Sequence, residues 1–148
     1  MGKRSERLKI VLDLAHRKEA ETLETLAKAQ KELNGEQLRL RQLESYMGDY
    51  QDKIRGKGGA GISAVEYANF QGFMYQLGVA LEQQQKKLLF LTQQVDVCTR
   101  NWRVAHEKTK GMEEHIAACR RSEEKELAKQ EQRMLDEFSQ LRNNYRPD

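Results

Sequence analysis

The chain has 148 residues, 38% of them hydrophobic and 33% charged, with a single proline and a net charge of +3. So polar a composition does not build a thick globular core; it suits either disorder or long helices sharing a narrow apolar seam. Basic and acidic residues number 13 and 10 over residues 1–57, 6 and 6 over 64–119, and 7 and 7 over 120–148, so no one-sided basic stripe tracks a phosphate backbone and nucleic acid is excluded as a main partner.

In chain order, Met1-Gly2-Lys3-Arg4-Ser5-Glu6 has no apolar run of the secretory type, and Glu6 stands where a myristoylation motif wants Ser or Thr. Ser5 is the expected N-cap of a first helix over about residues 5–55. Heptad positions along it read Leu8, Leu12, Ala15, Glu19, Thr22, Leu26, Ala29, Leu33, Glu36, Leu40, Leu43, Met47, Tyr50 and Ile54, eleven of fourteen apolar. Such periodicity is not required of a disordered chain, and it decides for a coiled coil.

The stretch Gly56-Lys57-Gly58-Gly59-Ala60-Gly61-Ile62 is the expected loop, since four glycines in six residues do not hold a helix. Ser63-Ala64-Val65-Glu66 then has the capping-box pattern that opens a helix, expected over about 64–142, with a tail at 143–148 that contains Pro147. Its seam runs from Tyr67 through Phe70, Met74, Leu77, Leu81, Gln84, Leu88, Leu91, Val95, Cys98, Trp102, Ala105, Thr109, Met112 and Ile116 to Cys119, fourteen of sixteen apolar.

The expected fold is therefore all-α: one coiled-coil domain over residues 1–148, a long antiparallel two-helix hairpin, because a short loop between long helices makes them antiparallel neighbours. A turn centred on residues 56–62 makes the numbers of facing residues add to about 117. That register sets Ala15 opposite Trp102, Ala29 opposite Leu88, Leu12 opposite Ala105 and Leu8 opposite Thr109. Gly48 comes near Gly72, either for close approach or to make room for neighbouring aromatics. The second helix would then overhang the first by about 30 residues, roughly 45 Å. Met112, Ile116, Met134, Leu135 and Phe138 would lack an intrachain partner, and after Cys119 the apolar positions slip to Leu127, Met134, Phe138 and Leu141, a four-residue stutter.

Two interaction surfaces are expected. The overhang suits a groove or pore in a partner, self-association, or a frayed and solvated end. Near the loop, Tyr46, Phe73 and Ala80 flank the seam residues Leu43, Tyr50 and Leu77, with Tyr75, Val79, Leu89 and Phe90 adding apolar groups outside it. This is more apolar surface than a two-stranded seam needs, and it fits a partner protein, a third helix or a dimer.

Nothing reads as catalytic or as a cofactor site. His16, His106 and His115 are scattered, no HExxH or CxxC occurs, and the glycine-rich loop lacks the Gly-Lys-Ser/Thr ending of a phosphate loop. Cys98 and Cys119 stand roughly 31 Å apart on one helix, beyond disulfide reach, and read as small hydrophobes in a reducing cytosol. No run of 18 apolar residues occurs, so no membrane insertion is expected.

Five segments carry a family resemblance: Leu43-Glu44-Ser45-Tyr46-Met47-Gly48-Asp49-Tyr50, Gly61-Ile62-Ser63-Ala64, Tyr67-Ala68-Asn69-Phe70-Gln71-Gly72-Phe73, Ala80-Leu81-Glu82-Gln83-Gln84 and Met134-Leu135-Asp136-Glu137-Phe138. Across nearly its whole length the chain resembles the FliJ family of flagellar type III protein-export components. The resemblance implies a cytoplasmic, non-enzymatic protein at the base of the flagellar basal body, similar to the central gamma stalk of rotary ATPases. Its implied partners are the hexameric export ATPase FliI, the cytoplasmic domain of the export-gate protein FlhA, and export chaperones. The implied gate-docking residues are Leu43, Tyr46, Tyr50, Phe73, Leu77 and Ala80; the ring-docking end falls on Arg7, Leu8, Arg133, Met134 and Phe138. Arg39 and Gln84 stand where the family pattern has other polar residues. The rival expectation is a dimeric scaffolding adaptor, or a secretion chaperone, without ATPase coupling.

Overall fold

A computed structural model describes residues 3–58 and 61–145. It contains two helices, α1 (Lys3–Gly58) and α2 (Ala64–Asn144), packed against each other as an antiparallel hairpin with no strand among the described residues. The heptad pattern accounts for the packing residue by residue. All fourteen seam positions of α1 are buried or half-buried, and so are the sixteen of α2 except Tyr67. The most buried apolar side chains, Ala15, Leu33, Leu77, Leu91, Ala105 and Ile116, are seam residues. Among the described residues no side chain is completely enclosed, as expected where the core is one layer of knobs between two helices.

The hairpin turns later than the glycine content suggests. α1 continues through Gly56 to Gly58, with Arg55 and Lys57 in its last turn, where cations favour the carbonyl end of the helix dipole. Gly61 takes φ +86°, a conformation that costs glycine nothing. Ser63 then caps α2: its Oγ accepts the Glu66 N–H at 3.1 Å, and its carbonyl accepts the Tyr67 N–H at 3.0 Å.

Helix ends at residues 58 and 64 centre the turn on 61, which moves the facing register. The ring pairs Tyr46–Phe73 and Tyr50–Phe70 and the hydrogen bond Gln84–Glu36 add to 119 or 120. Toward the termini the sums are larger: Thr109 meets the carbonyl of Ala15, a sum of 124, at 3.2 Å, and not Leu8. Ser5, expected as a cap, lies inside the first turn of α1 and is buried against Glu123 of α2. The paired region thus reaches Glu123, and the overhang shrinks to residues 124–144, about 30 Å of helix. Ile116 is 4% exposed and Met112 is half-buried; both belong to the seam and not to the overhang. Gly48 and Gly72 make no close approach either, since a Cβ added at either would meet nothing within 4 Å.

The helices divide into two compact units: a loop-side unit, Thr22–Trp102, and a terminal unit formed by Met1–Glu21 and Arg103–Asp148.

Candidate docking surfaces

In the loop-side unit five aromatic rings form a connected cluster across the two helices. Tyr50 lies between Phe73, with ring centroids 4.6 Å apart, and Phe70, stacked at 5.6 Å. Tyr46 meets Phe73 edge-on at 5.9 Å, and Tyr67 approaches Phe70 at 6.5 Å. These separations lie in the range where edge-to-face and offset contacts stabilise ring pairs by about 0.5–1.5 kcal/mol each.

The six residues expected to dock the gate divide by depth. Leu77 is buried in the seam, Leu43, Tyr50, Phe73 and Ala80 are half-buried, and Tyr46 is 53% exposed. Tyr75, Val79, Leu89 and Phe90 are exposed. The cluster thus presents its edge to solvent while its interior holds the helices together. Phe70 and Tyr67 were not singled out as site residues, although both were placed in the seam series. The expected register set Tyr67 opposite Tyr50; in the structure Phe70 takes that place and Tyr67 meets Phe70 instead.

Further along the seam, away from the loop, sits a polar layer. Glu36, a seam residue 8% exposed, accepts Gln84 Nε2 at 2.6 Å, Lys87 Nζ at 3.1 Å and the Arg39 guanidinium at 3.5 Å. Gln84 also donates to the Glu36 carbonyl at 3.0 Å. The Gln84 hydrogen bond, then that of Lys87, holds the Glu36 carboxyl below its ordinary value, against the opposing pull of burial. Arg39 and Gln84, the two positions expected to depart from the family pattern, both bind this one carboxylate. A polar pair across an apolar seam favours one register, because sliding either helix strands its groups.

In the terminal unit the helices are clipped by side chains. Ser5 donates its N–H to Glu123 Oε1 at 3.3 Å and its hydroxyl to Oε2 at 2.9 Å. The Glu123 carboxylate thereby accepts from the first turn of α1, at the end of the helix dipole that favours an anion. His106 Nδ1 lies 2.6 Å from Glu19 Oε1, and His16 Nε2 lies 3.1 Å from Glu113. The His106 hydrogen bond is the main cause that holds the Glu19 carboxyl below its ordinary value. Expected to be merely solvated, these two histidines instead bridge the helices.

Beyond Glu123 every described residue of α2 is exposed. Leu127, Met134, Leu135, Phe138, Leu141 and Tyr145 are between 48% and 84% exposed. From Met134 through Phe138 and Leu141 to Tyr145 the spacing is four, three and four, the spacing of a coiled-coil seam with no second strand. Of the residues expected to dock the ring, Arg7 and Arg133 are exposed, Leu8 is half-buried, and Met134 and Phe138 stand out in solvent.

A sequence-invisible feature of this unit is an open apolar hollow of about 230 Å³, lined by Val11, Leu14, Ala15, Ala105 and Met112 and rimmed by Lys18 and Lys108. Ala15 and Ala105 share its floor, so small faces small where the expected register paired Leu12 with Ala105. Among the described residues no group of three His, Cys, Asp or Glu side chains could hold a metal, the cysteines are free and half-buried, and no helix is long and apolar enough to cross a membrane.

Fold and surfaces together define an antiparallel helical hairpin that leaves an aromatic edge and an unpaired helix exposed. The chain belongs to the FliJ family: the family profile described as Flagellar FliJ protein matches residues 4–147. It is 25% identical over 137 residues to the Flagellar FliJ protein of Salmonella typhi, covering 90% of each chain. It is 24% identical over 131 residues to the Flagellar FliJ protein of Escherichia coli (strain K12), covering 86% of this chain and 87% of that one. No solved structure matches.

Proposed function

We propose that this FliJ-family chain acts in flagellar protein export as a non-catalytic, stalk-like connector, a single coiled-coil domain in the cytoplasm at the base of the basal body. Its overhang, with the start of α1, enters the ring of the export ATPase FliI; its aromatic face docks the cytoplasmic domain of the export gate FlhA and hands on export chaperones. The observation that carries this reading is the polarity of the hairpin's exposed apolar surface. Tyr46 is 53% exposed on the edge of a ring cluster in one unit, and Met134 and Phe138 are 69% and 67% exposed on an unpaired helix in the other.

The ring-docking residues are Arg7, Leu8, Arg133, Met134 and Phe138, and the gate-docking residues Leu43, Tyr46, Tyr50, Phe73, Leu77 and Ala80. A titration of the chain with each partner domain tests the assignment. Tyr46→Ala with Phe73→Ala weakens gate binding and leaves ATPase binding intact. Met134→Ala with Phe138→Ala does the reverse. If either pair lowers both affinities while the helical circular dichroism is unchanged, the two-site reading fails.

A further inference from the structure

The hollow in the terminal unit belongs to neither proposed docking surface. Its 230 Å³ falls below the roughly 300–1,000 Å³ of small-molecule pockets but suits one or two bulky side chains entering from outside. Val11 and Leu14, 45% and 58% exposed, form one wall. The buried Ala15 and Ala105 form its floor, and half-buried Met112 also lines it.

The rims carry like charge. Neither Lys18 nor Lys108 meets a carboxylate among the described residues. The surrounding paired segments, residues 3–21 and 103–123, hold 11 basic and 8 acidic residues, an excess of three that equals the net charge of the whole chain. Two of those acids, Glu19 and Glu113, are already engaged by His106 and His16. An apolar trough between lysine rims in a basic surround selects an acidic partner that is also amphipathic. A polyanion without apolar groups, such as nucleic acid, leaves the trough empty.

We propose that this groove is a docking site for an acidic amphipathic helix of another protein, which lays two or three large apolar side chains over Ala15 and Ala105 and sets flanking Glu or Asp residues against Lys18 and Lys108. The result is a local three-helix bundle. The site is distinct from the ring-docking residues on the overhang and does not depend on them.

The probe is a synthetic helix of about 20 residues with leucines at seam spacing and glutamates on both flanks, titrated into the full chain by fluorescence anisotropy. The chain binds this peptide and binds its lysine-flanked counterpart at least about tenfold more weakly, the factor expected for reversing charges beside a desolvated contact. Lys18→Glu with Lys108→Glu weakens the acidic peptide by a similar factor, and restores binding of the basic one. Leu14→Glu, at an exposed position that folding does not need, abolishes binding. Met134→Ala with Phe138→Ala leaves it unchanged and serves to separate this site from the ring-docking end. Equal binding of both peptides, indifference to the lysine reversals, or loss on changing the overhang overturns the proposal. So does a chain that sediments as a dimer whose formation excludes the peptide, since the groove's occupant is then a second copy.

Discussion

Ile116→Ala separates the observed register from the one the loop composition suggests. In the suggested register Ile116 lies on the overhang, where truncation of a solvated side chain changes stability by less than about 0.5 kcal/mol. In the structure Ile116 is 4% exposed, and Thr109, two helical turns before it, reaches the carbonyl of Ala15. Removing three buried carbons at about 0.8 kcal/mol each gives about 2.4 kcal/mol. Buried Ile→Ala changes span about 2–5 kcal/mol, and a two-helix seam relaxes easily, so about 2 kcal/mol is the expected loss. For a chain of this size that corresponds to a fall in Tm of roughly 4–8 °C. Urea unfolding followed by circular dichroism at fixed protein concentration measures it, with Phe138→Ala as the exposed control, expected within about 0.5 kcal/mol of the parent. If Ile116→Ala and Phe138→Ala are indistinguishable, the paired region stops before Ile116 and the register described above is wrong.

Further outcomes follow from single features. The carboxyls of Glu19 and Glu36 titrate below their ordinary value in the folded chain. Their contribution is complete above the ordinary Glu value, about 4.3, and is lost as pH falls through the lower folded value. The urea midpoint of the parent therefore drops below that pH, and Glu19→Gln with Glu36→Gln flattens the drop; an unchanged acid slope contradicts the assignment. Gly48→Ala and Gly72→Ala, where an added Cβ meets nothing within 4 Å, each stabilise by up to about 1 kcal/mol, whereas Gly61→Ala, at φ +86°, destabilises; thermal melts give the signs. Ser63→Ala removes the cap of α2 and costs about 1 kcal/mol, read as a lower urea midpoint with faster amide exchange at residues 64–67.

The seam was legible in the sequence because a 3.5-residue period survives in the spacing of apolar residues whatever the tertiary context. Leu8 through Ile54 and Phe70 through Cys119 all take the burial that period assigns. The register was not legible, since it depends on where α1 ends, and helix continuation through Gly56 and Gly58 is set by the turn that Gly61 makes possible and not by local propensity. Facing pairs add to two or three more than the expected 117 beside the loop and to seven more at Thr109 and Ala15, which changes the fates of Thr109, Met112 and Ile116. The polar seam residues Glu19, Glu36, Gln84 and Thr109 read as exceptions to the pattern. Placed in three dimensions, Glu36 and Gln84 answer each other, Glu19 is held by His106, and Thr109 is bound to Ala15. The exposed aromatics near the loop were visible from their flanking positions, but the hollow over Ala15 and Ala105 required the true register to bring two small residues together.

The connector reading requires that one chain hold the ATPase and the gate at the same time through different ends. Size-exclusion chromatography of the export ATPase, the cytoplasmic gate domain and this chain, mixed together and in pairs, measures this. The account predicts a three-component peak that forms only when the chain is present and dissolves on Tyr46→Ala with Phe73→Ala, leaving the ATPase complex behind. Mutually exclusive binding, with each partner displacing the other from the chain, would contradict it.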